Sequence, residues 1–203
     1  VRAAVDEKLL GRHSNALVVD VGGGTALLTL LEKGEIASSG SYRLGSIRLQ
    51  ETLATSREPP QRAAELFRQQ IATTVASVDD SMPLAKVRTF VALGGDVRFA
   101  AKQVGEHTGD PDVHVVPAGA FDELLEKIAG HAPEELARTY HVPYADAETL
   151  VPALLAYQQL LKATAAREMI VSDATMRDGL LLDLARGEAG RQDPGLIEGM
   201  VRS

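Results

Sequence analysis

The 203-residue chain contains no cysteine and no tryptophan, and aromatic residues make up only 4% of it. Without cysteine there is no disulfide framework, no thiolate zinc site and no thiol nucleophile. No apolar stretch approaches the ~20 residues that a membrane-spanning helix needs, so no membrane partner is expected. Val1–Leu10 carries charges throughout and does not read as a secretion signal. Positive charge is also in short supply: 21 Lys+Arg stand against 28 Asp+Glu, a net of −7. Binding of nucleic acid by bulk electrostatics is disfavoured, because a phosphate backbone would be repelled rather than neutralised. The excess negative charge falls in residues 101–203, so a bound polyanion would contact the first half of the chain. His13, His107, His114, His131 and His141 lack the H-x-x-x-H and H-E-x-x-H spacings of zinc sites, and no G-x-S-x-G nucleophile elbow occurs.

Hydrophobic residues at 45% and charged residues at 24% give the ordinary globular balance, with length enough for one large domain or two small ones. Val1–Leu10 reads as the end of a helix with no visible start, closed by Gly11, which suggests a piece of a longer polypeptide. Ala16–Val21 is a short β-branched run typical of a buried strand. Thr25–Leu31 and Ile36–Leu44 follow as strands, joined by a turn over Glu32–Glu35. Helices are expected over Gly45–Thr55, with Ser46 as its cap, and from Pro59-Pro60 to about Val78. Thr89–Leu93 is a buried strand, Gly94-Gly95 breaks it, and Asp96 caps a helix from Val97 to Gly105. Val113–Val116 reads as a short strand. Helices are expected over Ala118–Gly130, Pro133–Thr139 and Ala145–Ala165, where the Leu and Ala stripe near 150–161 is core. Glu168–Ser172 is a last strand and Thr175–Arg186 a last helix. This order predicts an α/β fold with a mixed sheet, whose ligands sit at the strand ends. Residues 187–203 read as a flexible tail.

Three segments could carry chemistry. In Asp20-Val21-Gly22-Gly23-Gly24-Thr25 a carboxylate ends a strand and three glycines let the backbone turn sharply and present N–H groups. Such a concavity binds phosphate. Asp20 would repel the phosphate unless a divalent cation stands between them, which implies Mg²⁺. A glycine-rich hairpin turn with an acid at its mouth is the alternative. The turn is not a P-loop, since no Gly-Lys-Ser/Thr follows. The second segment, Ala92-Leu93-Gly94-Gly95-Asp96, offers either helix N-terminal amides to an anion or an ordinary cap by Asp96. In the third, Leu44-Gly45-Ser46-Ile47-Arg48-Leu49, Arg48 stands in the first turn of a helix, against the dipole. It is either solvated or paired with an anion. Val171–Gly179 looks like a strand end and a capped helix.

Taken in order, these segments resemble the exopolyphosphatase / guanosine pentaphosphate phosphohydrolase (Ppx/GppA) family. The resemblance runs from about Ala16 to Arg186, through Val18–Thr25, Leu44–Glu51, Leu93-Gly94-Gly95, Val171-Ser172-Asp173 and Arg177–Leu181. It implies a ribonuclease-H-like lobe of the actin-like ATPase superfamily over 16–186. This is the C-terminal lobe of the phosphatase module, with 1–15 leading from a missing N-terminal lobe of the same polypeptide. It further implies a bacterial, cytoplasmic hydrolase that removes terminal phosphates from inorganic polyphosphate or guanosine pentaphosphate with Mg²⁺. On these residues Asp20 is the catalytic and metal-holding acid, and Gly22, Gly23, Gly24, Thr25, Gly94, Gly95 and Arg48 bind phosphate. The family reads Gly-Gly-Ser-Thr-Glu after the aspartate and Gly-Gly-Thr in the later loop. Here Leu27 replaces the glutamate and Asp96 the threonine. A single lobe offers one side of a phosphoryl group only, so the isolated chain is expected not to turn over polyphosphate. An exposed lobe face would let two copies pair as a homodimer. Two other readings stand beside this one. One is a non-catalytic module that binds polyphosphate or a nucleotide. The other is an actin-like ATPase scaffold lobe.

Overall fold

The structure, a computed structural model, describes residues 15–173. Seven strands form one sheet in the order β3-β2-β1-β4-β7-β6-β5. β1 (Ala16–Val21), β2 (Ala26–Glu32) and β3 (Glu35–Tyr42) make an antiparallel meander. β4 (Thr89–Leu93) lies parallel to β1, and β7 (Glu168–Ser172) parallel to β4. β6 (Val113–Pro117) runs antiparallel to β7 and carries the two-residue β5 (Glu106–His107) at the far edge. The sheet is thus mixed, as the sequence predicts.

Burial explains the arrangement. β1 is buried almost throughout, as a central strand covered on both faces must be. Its odd residues Leu17, Val19 and Val21 join one large core with the helices, while Ala16 and Val18 join a second cluster with Val91, Leu93 and Ile170 on the other face. β3, at the edge, is mostly polar and exposed.

The helices are α1 (Ser46–Leu53), α2 (Pro60–Asp79), α3 (Gly95–Val104), α4 (Ala118–Ile128), α5 (Pro133–Tyr140) and α6 (Tyr144–Lys162). α6 is buried on nearly every side and packs against all five other helices and β1. Two expected caps are corrected. Gly45, not Ser46, precedes α1, and Gly94, not Asp96, precedes α3, neither with a side-chain cap. At Gly45 the backbone is pressed against the Gly23–Thr25 turn, and Gly94 has φ +116°, a conformation that side-chain-bearing residues rarely adopt, so neither place takes a capping side chain. β5 was not expected, because two residues carry no alternation to read. The expected helices before Gly11 and over 175–186, and the tail 187–203, lie outside the described residues.

Candidate functional site

The C-terminal ends of β1 and β4 lie side by side, with Asp20 opposite Leu93 in the last rung of their register. Both strands stop at glycine, so both glycine turns open on one edge of the sheet. The first turn, Gly22–Thr25, closes the β1–β2 hairpin through a bond from Gly22 N–H to the Thr25 carbonyl, 2.9 Å. Gly22's amide is therefore used inside the turn.

The remaining peptides are oriented by α1. The Ser46 N–H donates to the Gly22 carbonyl at 3.1 Å and the Arg48 N–H to the Gly23 carbonyl at 3.0 Å. Arg48 Nε donates to the Gly24 carbonyl at 3.0 Å. Three successive carbonyls thus face the start of α1. In trans peptides the N–H points opposite to the carbonyl, so the N–H groups of Gly23, Gly24 and Thr25 face the other way. None of the three has a partner among the described residues. Gly22, Gly24 and Thr25 are exposed, so the turn is open. This is an anion-binding nest in form.

Arg48 has a role that neither of its two sequence readings contained. It is exposed, but its guanidinium ties the loop to the helix rather than standing free. Gly45 makes this docking sterically possible, since a Cβ there would lie 2.2 Å from the Gly24 carbonyl carbon. The signal for this task in the sequence is the position of Gly45, one residue before a helix that follows a strand.

At the second turn Gly94 has φ +116°, a region that favours glycine. A Cβ on Gly94 would stand 3.4 Å from Asp20 Oδ1 and 3.2 Å from the hydroxyl of Tyr157. The second turn therefore lies against Asp20 and Val21, the two residues that lead into the first turn. Burial pushes the Asp20 carboxyl above its usual range, and the Arg98 guanidinium opposes that rise. Arg98, on α3, also lies 3.8 Å from Asp173 at the end of β7. Arg98 is a cation at this edge that sequence reasoning missed. Asp96 lines, with Gly95, Arg98, Lys102, Asp146 and Thr149, a pocket of about 480 Å³ between α3 and α6. Its carboxyl is pushed up to about 6, first by burial and also by Asp146, against the pull of Thr149, whose hydroxyl lies 3.5 Å away, and of Arg98.

The side chain of Leu27 is the cross-strand neighbour of Asp20, in the register Asp20↔Leu27. The group beside the carboxylate is thus apolar. Among the described residues no cluster of three His, Cys, Asp or Glu is arranged to hold a metal.

A model of the Ppx/GppA phosphatase family matches residues 2–188. The chain belongs to that family. Its fold agrees with the crystal structure of the Aquifex aeolicus Ppx/GppA family member, at a TM-score of 0.74 and 21% identity over 94% of this chain and 63% of that one. An exopolyphosphatase from Cytophaga hutchinsonii matches at a TM-score of 0.73 and 16% identity, over 86% of this chain and 58% of its own. An exopolyphosphatase-like protein matches at 0.71 and 18%, over 84% and 59%. At these identities the structures show the shared α/β fold. The chain spans less than two thirds of each of these proteins. No curated protein matches it. Among the described residues no helix is long and apolar enough to cross a membrane.

Proposed function

We propose that this Ppx/GppA chain is the C-terminal lobe of a cytoplasmic phosphoanhydride hydrolase acting on the terminal phosphates of inorganic polyphosphate or guanosine pentaphosphate. The observation that supports this most is the row of outward amides at Gly23, Gly24 and Thr25, in the turn that follows Asp20, with Gly94 lying against Asp20 Oδ1 and the Val21 carbonyl. Phosphoryl transfer requires positioning and charge stabilisation more than covalent chemistry. The amides would hold the oxygens of a terminal phosphoryl group. Arg48 and Arg98 add positive charge beside the two turns. Asp20 suits a Mg²⁺ ion held by one carboxylate, phosphate oxygens and water, the usual way this ion is bound in phosphate sites. Mg²⁺ would neutralise charge on the phosphate when bound. As a base or metal ligand Asp20 must be ionised, and Arg98 favours that state against burial.

The reacting group would need a second wall, which the N-terminal lobe of the same polypeptide is proposed to supply. The isolated chain should then release no phosphate. The test compares the full-length protein with the chain alone, using polyphosphate, guanosine pentaphosphate and Mg²⁺. Phosphate release by the full-length protein that Asp20→Asn abolishes supports the reading; release by the chain alone overturns its two-lobe part.

One observation favours a second reading. Leu27 beside Asp20 neither holds a metal nor polarises water, which suits a module that binds polyphosphate or a nucleotide without cleaving it. Saturable binding without turnover in the full-length protein would select it.

A further inference from the structure

Tyr157 lies in the apolar stripe of α6 and is fully buried. A phenol hydroxyl taken out of water must find partners, because an unpaired one costs on the order of 1–3 kcal/mol. The partners of Tyr157 are not on its own helix. Its oxygen accepts the Val21 N–H at 2.9 Å and its O–H donates to the Leu93 carbonyl. Val21 is the last residue of β1 and Leu93 the last of β4. Each immediately precedes a glycine turn. One oxygen thus joins the two strand ends from which both turns spring, which lie 136 and 64 residues before it in the sequence.

The contact is close from above as well. Gly94 passes over the hydroxyl, and a Cβ there would lie 3.2 Å from it. α6, braced by each of the other five α-helices among the described residues, carries the phenol, so the position of the hydroxyl is fixed by the core around it. Burial pushes the phenol well above its ordinary value, with Asp20 adding to the rise. The hydroxyl therefore stays protonated and remains a donor to Leu93. Phenylalanine would keep the ring and its packing but leave one buried donor and one buried acceptor facing an apolar edge.

We propose that Tyr157 is a positioning residue that sets the spacing between the Gly22–Thr25 and Gly94-Gly95 turns and thereby their affinity for a chain of phosphates. This rests on the reading that the two turns take phosphate groups. Tyr157 does not touch the ligand; it acts through Val21 and Leu93.

The experiment uses the full-length protein and measures three quantities: the melting temperature, amide hydrogen exchange, and the Kd for inorganic tripolyphosphate. Tyr157→Phe is compared with Leu154→Ala, a core truncation one helical turn earlier on α6 at a fully buried position. In Tyr157→Phe the Kd should rise about tenfold, equivalent to roughly 1.4 kcal/mol, and exchange should quicken at Val21, whose N–H loses its acceptor, and at Gly22, whose N–H is bonded within the first turn. Leu154→Ala should lower the melting temperature at least as much and leave Kd within twofold. A Tyr157→Phe protein with unchanged Kd and unchanged exchange at the turns overturns the proposal. So does a Leu154→Ala protein that loses affinity equally. In the wild-type protein, whatever the variant's yield, tripolyphosphate should slow exchange at Val21 with the same midpoint as at Gly23–Thr25; separate midpoints would contradict the coupling. Should the wild-type protein not bind tripolyphosphate at all, the phosphate reading fails, and with it the ligand half of this proposal, while quickened exchange in Tyr157→Phe would still show the clamp.

Discussion

Gly45 and Gly24 are packed so closely that a Cβ on Gly45 would lie 2.2 Å from the Gly24 carbonyl carbon. That contact seats the first turn of α1 against the glycine turn and fixes which way its peptides face. Gly45→Ala must push the two backbones apart. We expect a loss of about 2–4 kcal/mol, in the range of overpacking at backbone contacts, together with the loss of phosphate binding. Gly24→Ala is the contrast, since its Cβ would meet nothing within 4 Å. It should change stability by less than about 1 kcal/mol. Thermal melts of the two variants check the pair; equal losses would show that the contact does not matter.

Leu27 is the cross-strand neighbour of Asp20, so an acid placed there would stand beside its carboxylate. In the full-length protein Leu27→Glu is expected to raise phosphate release about tenfold or more at saturating Mg²⁺, because two adjacent carboxylates bind a divalent ion better than one. Steady-state kcat at several Mg²⁺ concentrations decides it. An unchanged kcat would mean that Leu27 is not what limits turnover.

Asp96 has its carboxyl raised to about 6 from 3.8, mainly by burial. A carboxyl that binds its proton more tightly folded than unfolded destabilises the fold as pH rises through 3.8 towards 6, and the full penalty is present above that window. Asp96→Asn should therefore stabilise the protein at pH 7 by about 1–2 kcal/mol, allowing for the group's partial exposure. The gain should vanish near pH 4. Urea titrations at pH 4, 5.5 and 7 read the difference, and a gain that grows on acidification would reverse the sign argued here.

Arg98 holds down the carboxyl of Asp20 against burial. Arg98→Gln should move the acid limb of the full-length protein's pH–rate profile to higher pH, since Asp20 would then hold its proton longer. A profile that keeps its acid limb would separate Arg98 from the ionisation of Asp20.

Much of this edge was legible in the sequence because its signals are local. Ala16–Val21 announces a buried strand by its β-branched run, and the glycines after Asp20 and Leu93 announce turns. The second strand, expected over Thr25–Leu31, and the third, over Ile36–Leu44, lie within two residues of their observed bounds. The stripe over 150–161 is core, as its spacing says. What escaped depends on contacts far apart in the chain. Nothing near Tyr157 tells that its hydroxyl reaches Val21 and Leu93. Arg48 looked like a solvated cation or an anion partner because only the folded turn supplies the Gly24 carbonyl it binds. Ser46 and Asp96 carry the composition of caps, but glycine geometry at Gly45 and Gly94 occupies those places.

The central claim is that the amides of Gly23, Gly24 and Thr25 receive a phosphoryl group. Backbone ¹⁵N resonances of the full-length protein, followed while tripolyphosphate is titrated in with Mg²⁺, test it most directly. The predicted result is that those three amides shift together and saturably, with Gly95 following. If the protein binds or cleaves the phosphate chain while all three stay unshifted, the nest is not the site.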